Sequence, residues 1–291
     1  TDTDKALIYG IVGGTPQYLL QMDDSLSIAD NLKHTFLNPT SSLFEEPENL
    51  LKQEVREPAL YNAIITAVAG GASRMAEISS KVGETTSVCA SYLENLMALG
   101  LIQKESPYGE KPSRKSIYSI SDNMFRFWYR FVPENNSIIA RGAADLAYQR
   151  IAPHLPDYMG KVFEEICRQY LWALLLSGKC PVDFRELGRW WGTDPSSRSQ
   201  AEIDIMGEQD KDSALFCKCK WTNENVDAKV LEKLVSRGKL FHYRDTHFYL
   251  FAKCGFTKGC IEKAEDSGNV TLASYRDILE LLLSGSSPAP A

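Results

Sequence analysis

The alternation of helix-like and strand-like patterns from residue 159 to residue 283 leaves few folds open to this chain. A helix is predicted from Gly160 to about Leu176, with strands at Val182–Leu187, Ala201–Met206 and Ala214–Trp221. A second helix runs from Val226 to about Gly238, followed by a strand at Thr246–Ala252 and a last helix at Tyr275–Leu283. The α-β-β-β-α-β order implies a mixed sheet with helices on its faces. Two of the strands carry charge in unexpected places. Asp204 lies within Glu202-Ile203-Asp204-Ile205, a carboxylate between two isoleucines. In Phe216-Cys217-Lys218-Cys219-Lys220-Trp221, strand alternation puts Lys218 and Lys220 on one face and the two cysteines on the other.

The preceding stretch, 58–132, has a different rhythm. Pro58 opens a helix whose apolar residues Leu60, Ile64, Ile65 and Val68 stop at Gly70-Gly71. Met75, Ile78 and Val82 mark a second helix ending at Gly83. Thr85 or Thr86 caps a third, with Val88, Tyr92, Leu93, Leu96, Met97 and Leu99 at helical spacing. Two β segments follow, Leu101–Glu105 and Ser116–Ile120, joined by the polar loop 106–115. Three helices and then a hairpin is the order of a winged helix. Its third helix presents Thr86, Ser87, Ser91, Glu94 and Asn95 but no Lys or Arg, which weakens a duplex-reading role. The wing holds Lys104, Lys111, Arg114 and Lys115 against Glu105 and Glu110, so phosphate contact there competes with an ordinary solvated loop. The aromatic run from Phe125 to Phe131 reads as packing, halted by Pro133, and 133–158 as a helical linker punctuated by Pro153 and Pro156.

At 291 residues the chain is long enough for two or three domains, and 44% hydrophobic residues supply real cores. The net charge of -6 excludes a general nucleic-acid coat, so any phosphate contact must be local. The odd set of seven cysteines fits reduced thiols in a cytosolic protein. Zinc held by Cys217, Cys219, Cys254 and Cys260 is rejected, because no C-x-x-C pair is present. No apolar stretch of about 18 residues exists to span a membrane. The segment 284–291 is a disordered tail by composition.

Residues 1–57 begin with a glycine-rich turn at Tyr9–Pro16, then short helical runs near 26–37 and 47–55. The double glycine is not a phosphate loop. Each Gly-Lys pair (Gly160-Lys161, Gly178-Lys179, Gly238-Lys239) is followed by Val, Cys or Leu rather than Ser or Thr.

The runs GGTPQYL, EVREPALYNAII, KSIYSISDNMFRFWYRFV, YMGKVFEEICRQYL, EIDI and CKCKW together resemble the C-terminal portion of the archaeal-type (DEXX-box) ATPase family, over residues 5–283. The resemblance implies a multidomain α+β chain. Residues 1–57 correspond to a helical lid-like segment, 58–132 to a winged helix, 133–158 to a linker and 159–283 to a domain similar to PD-(D/E)xK nucleases. The P-loop core of that family is missing, so ATP is expected only for a full-length member.

In the nuclease layout, acidic side chains hold a hard divalent ion that activates water, and a lysine orients the nucleophile. Glu164, Asp204 and Lys220 match the helix carboxylate, strand carboxylate and motif lysine. Lys218 departs, standing where the motif has a metal-holding glutamate. Glu202, on the same strand face as Asp204, is the substitute ligand if Mg²⁺ or Mn²⁺ binds at all. Otherwise Asp204, Lys218 and Lys220 form an ion-pair cluster within the sheet. Lys229, Lys233 and Arg237, at i, i+4 and i+8, either extend an anion-binding stripe or form a solvated face. Three functions stay open: an accessory module contacting DNA or a protein partner without hydrolysis, an active Mg²⁺-dependent endonuclease, and an interaction scaffold without nucleic acid.

Overall fold

The computed structural model describes residues 1–195 and 198–284. The chain divides into two units, Thr1–Ser106 with Pro112–Leu155, and Pro107–Lys111 with the residues from Pro156 onward.

The first unit opens with α1 (Asp2–Val12), where Thr1 and Asp4 form a reciprocal capping box. The glycine-rich turn expected from Tyr9 begins only at Gly13, in a positive-φ conformation (70°). Gly10, Ile11 and Val12 stay helical because they lie on the buried face of α1. Helices α2 (Pro16–Leu19), α3 (Ile28–Thr35) and α4 (Ser42–Glu54) follow. Then come α5 (Pro58–Ala69), α6 (Met75–Val82) and α7 (Thr86–Ala98), with Pro58 in the first turn of α5. Gly83 closes α6 in the left-handed region, a backbone state that glycine enters without steric cost. Strands β1 (Ile102–Glu105) and β2 (Ile117–Ile120) pair antiparallel, Ile102 opposite Ile120.

Helix α8 (Asn123–Ile139) runs straight through Pro133, so the expected stop and linker are displaced. A proline inside a helix removes one hydrogen bond and costs about 3 kcal/mol. Met124, Phe125, Phe127, Trp128, Phe131 and Val132 are all buried on α8, and burial of about 1.5–3 kcal/mol per large apolar side chain outweighs that cost. The aromatic run is therefore core, as read. The true break falls at 140–143, before α9 (Ala144–Ile151) and a short 3-10 turn (Ala152–His154).

The second unit begins with α10 (Leu155–Leu176), whose first residue belongs to the first unit. Its five-stranded sheet has the order β3 (Gly188–Asp194), β4 (Ser199–Glu208), β5 (Ser213–Lys220), β6 (Asp245–Ala252) and β7 (Val270–Ser274). The pairs β3–β4 and β4–β5 are antiparallel, and β5–β6 and β6–β7 are parallel, so the sheet is mixed as predicted. Helices α11 (Ala228–Gly238) and α12 (Lys258–Ser267) make the parallel crossovers, and α13 (Tyr275–Ser284) ends the described chain.

One sheet face receives α10 and α13, with Phe163 against Trp221 and Tyr275 and Tyr170 against Phe251. The other receives α11 and α12. There Leu234 packs with Phe216 and Phe248, and Leu231 with Leu250 and Cys260. Multidomain α+β with a mixed sheet is thus the fold class.

Two expectations fail here. Val182–Leu187 is not a strand: Val182 and Phe184 are buried, but Asp183 N donates to the Gln209 side chain (3.1 Å) instead of joining a ladder. Alternating burial there reflects packing under an irregular segment, and the first strand starts at Gly188. Helix α12 and strand β7 were not anticipated, because the buried side of α12 consists only of Cys260 and Ala264. Of the expected tail, Ser284 closes α13 and 285–291 lie outside the described residues.

Candidate functional site

The β4–β5 ladder runs from Glu208 opposite Ala214 to Ile205 opposite Cys217. Past that point the Asp204 carboxylate takes over the bridging. One oxygen accepts from the Cys219 backbone N–H (2.8 Å) and the other from Lys218 Nζ (2.7 Å). Asp204 is 1% exposed, so both oxygens need such partners. The β4 carbonyls at this fork are also taken by side chains: Arg168 Nη2 donates to Asp204 O (3.4 Å) and Arg237 Nη1 to Glu202 O (2.7 Å). Buried backbone groups that leave a ladder must find partners elsewhere, and arginines from α10 and α11 supply them.

Glu202 lies within 2.8 Å of Arg189 Nη2 and 3.6 Å of Lys218 Nζ. Burial resists its charge, but Arg189 and Lys218 outweigh that and hold its carboxyl below the usual glutamate value. For Lys218, burial works against the ammonium, and Asp204, Glu202 and Glu164 together keep its pKa above the ordinary lysine value. Glu164, on α10, pairs with Lys161 (3.0 Å). Burial raises its carboxyl, Lys161 and Arg189 oppose the shift, and Asp204 adds to it. Lys220 is half-buried, and its backbone carbonyl accepts from Lys253 N (2.9 Å). Cys167 and Cys219 are both buried, and burial raises both thiols. All seven cysteines are free.

The nuclease layout would call for a divalent ion. The donor set here does not fit one. Among the described residues, no three His, Cys, Asp or Glu side chains gather in a way that could hold a metal. Glu202 and Asp204, the two carboxylates that would share an ion, already share the Lys218 ammonium. Among the described residues at the fork, Arg189 Nε is a buried donor without a partner, and a donor has nothing to offer a cation.

The remaining sequence-named residues lie on α11 and in the 106–115 loop. Lys229 and Lys233 are exposed on α11, whereas Arg237 turns inward to the Glu202 carbonyl. The three-residue stripe is therefore cut to two, since the open carbonyl at the fork offers Arg237 a partner that solvent exposure would not. Lys111, Arg114 and Lys115 are exposed. On α7, Asn95 donates to the Tyr61 hydroxyl (2.8 Å) and Tyr92 to Glu57 (3.0 Å).

Sequence reading missed Arg168, Arg189 and Tyr108. Arg168 lies four residues after Glu164, one turn on, and this spacing was the available signal. Arg189 precedes two tryptophans on β3 and gave none. Tyr108, in the polar loop read as solvated, is anchored: its N–H donates to Arg189 O (2.8 Å), and its hydroxyl accepts from Glu208 N (3.1 Å). Burial pushes its phenol up to about 12.

Residues 128–231 match the family model of DUF234, described as archaeal and bacterial proteins of unknown function. That stretch starts within α8 and ends within α11. The chain is similar to the uncharacterized protein MJECL04 of Methanocaldococcus jannaschii, 32% identical over 246 residues, covering 83% of this chain and 54% of that protein. It thus spans about half the length of this curated relative. Among solved structures, the DNA modification-dependent restriction endonuclease AspBHI is 20% identical over 44% of this chain and 36% of its own, with a TM-score of 0.25. Protein VC1899 from Vibrio cholerae is 12% identical over 84% of this chain and 56% of its own, with a TM-score of 0.33. No helix among the described residues is long and apolar enough to cross a membrane.

Proposed function

We propose that this chain is a non-hydrolysing, phosphate-contacting region of an archaeal-type ATPase, combining a winged helix with a degenerate nuclease-like domain. The observation that carries the reading is the Lys218–Asp204 pair at 2.7 Å, a cation lodged where the motif needs a metal ligand. Arg189 beside Glu202 and Lys161 beside Glu164 add positive charge to the same region, which suits an anion. The order of α5, α6, α7, β1 and β2 supports the winged-helix part. The ATPase association rests on the sequence resemblance.

Plasmid, single-stranded and branched DNA incubated with Mg²⁺ or Mn²⁺ should remain intact. Binding should appear at low salt and fall steeply as salt rises, because phosphate contacts release counterions. Metal-dependent cleavage abolished by Asp204→Ala would establish the active endonuclease instead. Absence of affinity even at low salt would remove nucleic acid and leave the protein-contact scaffold.

A further inference from the structure

We infer that the Lys218 ammonium is a built-in replacement for the divalent cation of the nuclease layout, and that its removal opens a divalent-ion site on Asp204 and Glu202. The inference rests on the nuclease-like reading of the fork, but not on nucleic-acid binding.

The geometry has three parts. Lys218 Nζ stands 2.7 Å from an Asp204 oxygen and 3.6 Å from a Glu202 oxygen, so one cationic centre lies between two carboxylates from the same strand. The second Asp204 oxygen is held by the Cys219 N–H at 2.8 Å, which fixes the carboxylate without help from the lysine. Arg189, at 2.8 Å, similarly steadies Glu202. Both candidate ligands therefore stay oriented when the lysine charge is removed.

Electrostatics dictates the exchange. A lysine ammonium and a divalent ion cannot share this space, because like charges a few ångströms apart repel strongly beside the buried Asp204 carboxylate. With Lys218 present, the two carboxylates are already neutralised by Lys218 and Arg189 together. Without it, they face each other with net negative charge. One or two carboxylates completed by water form a common protein contribution to a Mg²⁺ or Mn²⁺ site. The built-in cation has a further consequence: whatever anion the fork accepts should bind as well in chelator as in added metal, since the positive charge is covalently attached.

The test uses Mn²⁺ alone, titrated into the full chain without nucleic acid and followed by the electron paramagnetic resonance signal of free ion. Wild type should show no saturable uptake at this site. Lys218→Met, which keeps the side-chain length, should bind one ion at least tenfold more tightly than wild type, and adding Asp204→Asn should abolish the gain. Circular dichroism establishes that each variant is folded. A folded Lys218→Met chain with no gain overturns the inference. So does wild-type uptake of one ion that Asp204→Asn removes, a measurement that stands even when Lys218→Met does not fold. Lost DNA affinity with retained Mn²⁺ gain would defeat the proposed function and leave this inference intact.

Discussion

At the side-chain-capped helix starts of the first unit, α1, α3, α7 and α8, the capping side chain sits three residues from its partner. Ser27 accepts from Asp30 N, Thr85 from Val88 N and Asp122 from Phe125 N. At the fork of the second unit the separations are 15 residues for Asp204 to Cys219, 35 for Arg237 to Glu202 and 36 for Arg168 to Asp204. The caps close as each helix forms and leave neighbours unaffected when lost. The fork bonds require an assembled sheet, and removing one partner strands a charge in a site with little water.

Asp204→Ala should break the comparison most severely. It leaves Lys218 and the Cys219 N–H without their main partner, a loss on the order of 3–5 kcal/mol. Urea denaturation should show the drop, and hydrogen exchange should place it in β4 and β5. Protection confined to its wild-type level there would mean that the pair carries no stability.

Asp122→Ala tests the local side. Losing an N-cap costs about 1 kcal/mol, with exchange rising in the first turn of α8 and the sheet unaffected. A loss as large as that of Asp204→Ala would erase the distinction between the two regions.

Glu164→Gln gives the smallest effect and the most telling sign. Burial is the main cause of its raised carboxyl pKa, so the ionised form burdens the folded state at neutral pH. The glutamine variant should be slightly more stable at pH 7. Its advantage should shrink as pH falls through the raised folded value, and vanish below the unfolded value of about 4.3. An advantage that grows on acidification would reverse the assignment.

The same difference in range explains what could be read from sequence. Helices α5, α6 and α7 announce themselves through Pro58, Gly83 and the Thr85 cap, all local signals. Asp204 and Lys218 were visible as charges embedded in apolar strands. Their partnership with Arg189 and the Cys219 N–H was not, because it depends on where β4 and β5 part. Arg237 had the spacing of a surface stripe, and only the unladdered Glu202 carbonyl draws it inward. Pro133 carries a strong stop signal that the apolar face of α8 overrides.

Tyr108 belongs to a five-residue stretch, Pro107–Lys111, that lies with the second unit although the chain on both sides lies with the first. The backbone therefore passes from one unit to the other at three points along its length, near 106, 111 and 155. No single cut separates the units intact. A fragment begun at Pro156 would lack the phenol that meets Glu208 N and the amide that meets Arg189 O. Inheritance or exchange of the sheet as a portable module would have to carry this short insert along, and with it the hairpin from which it springs.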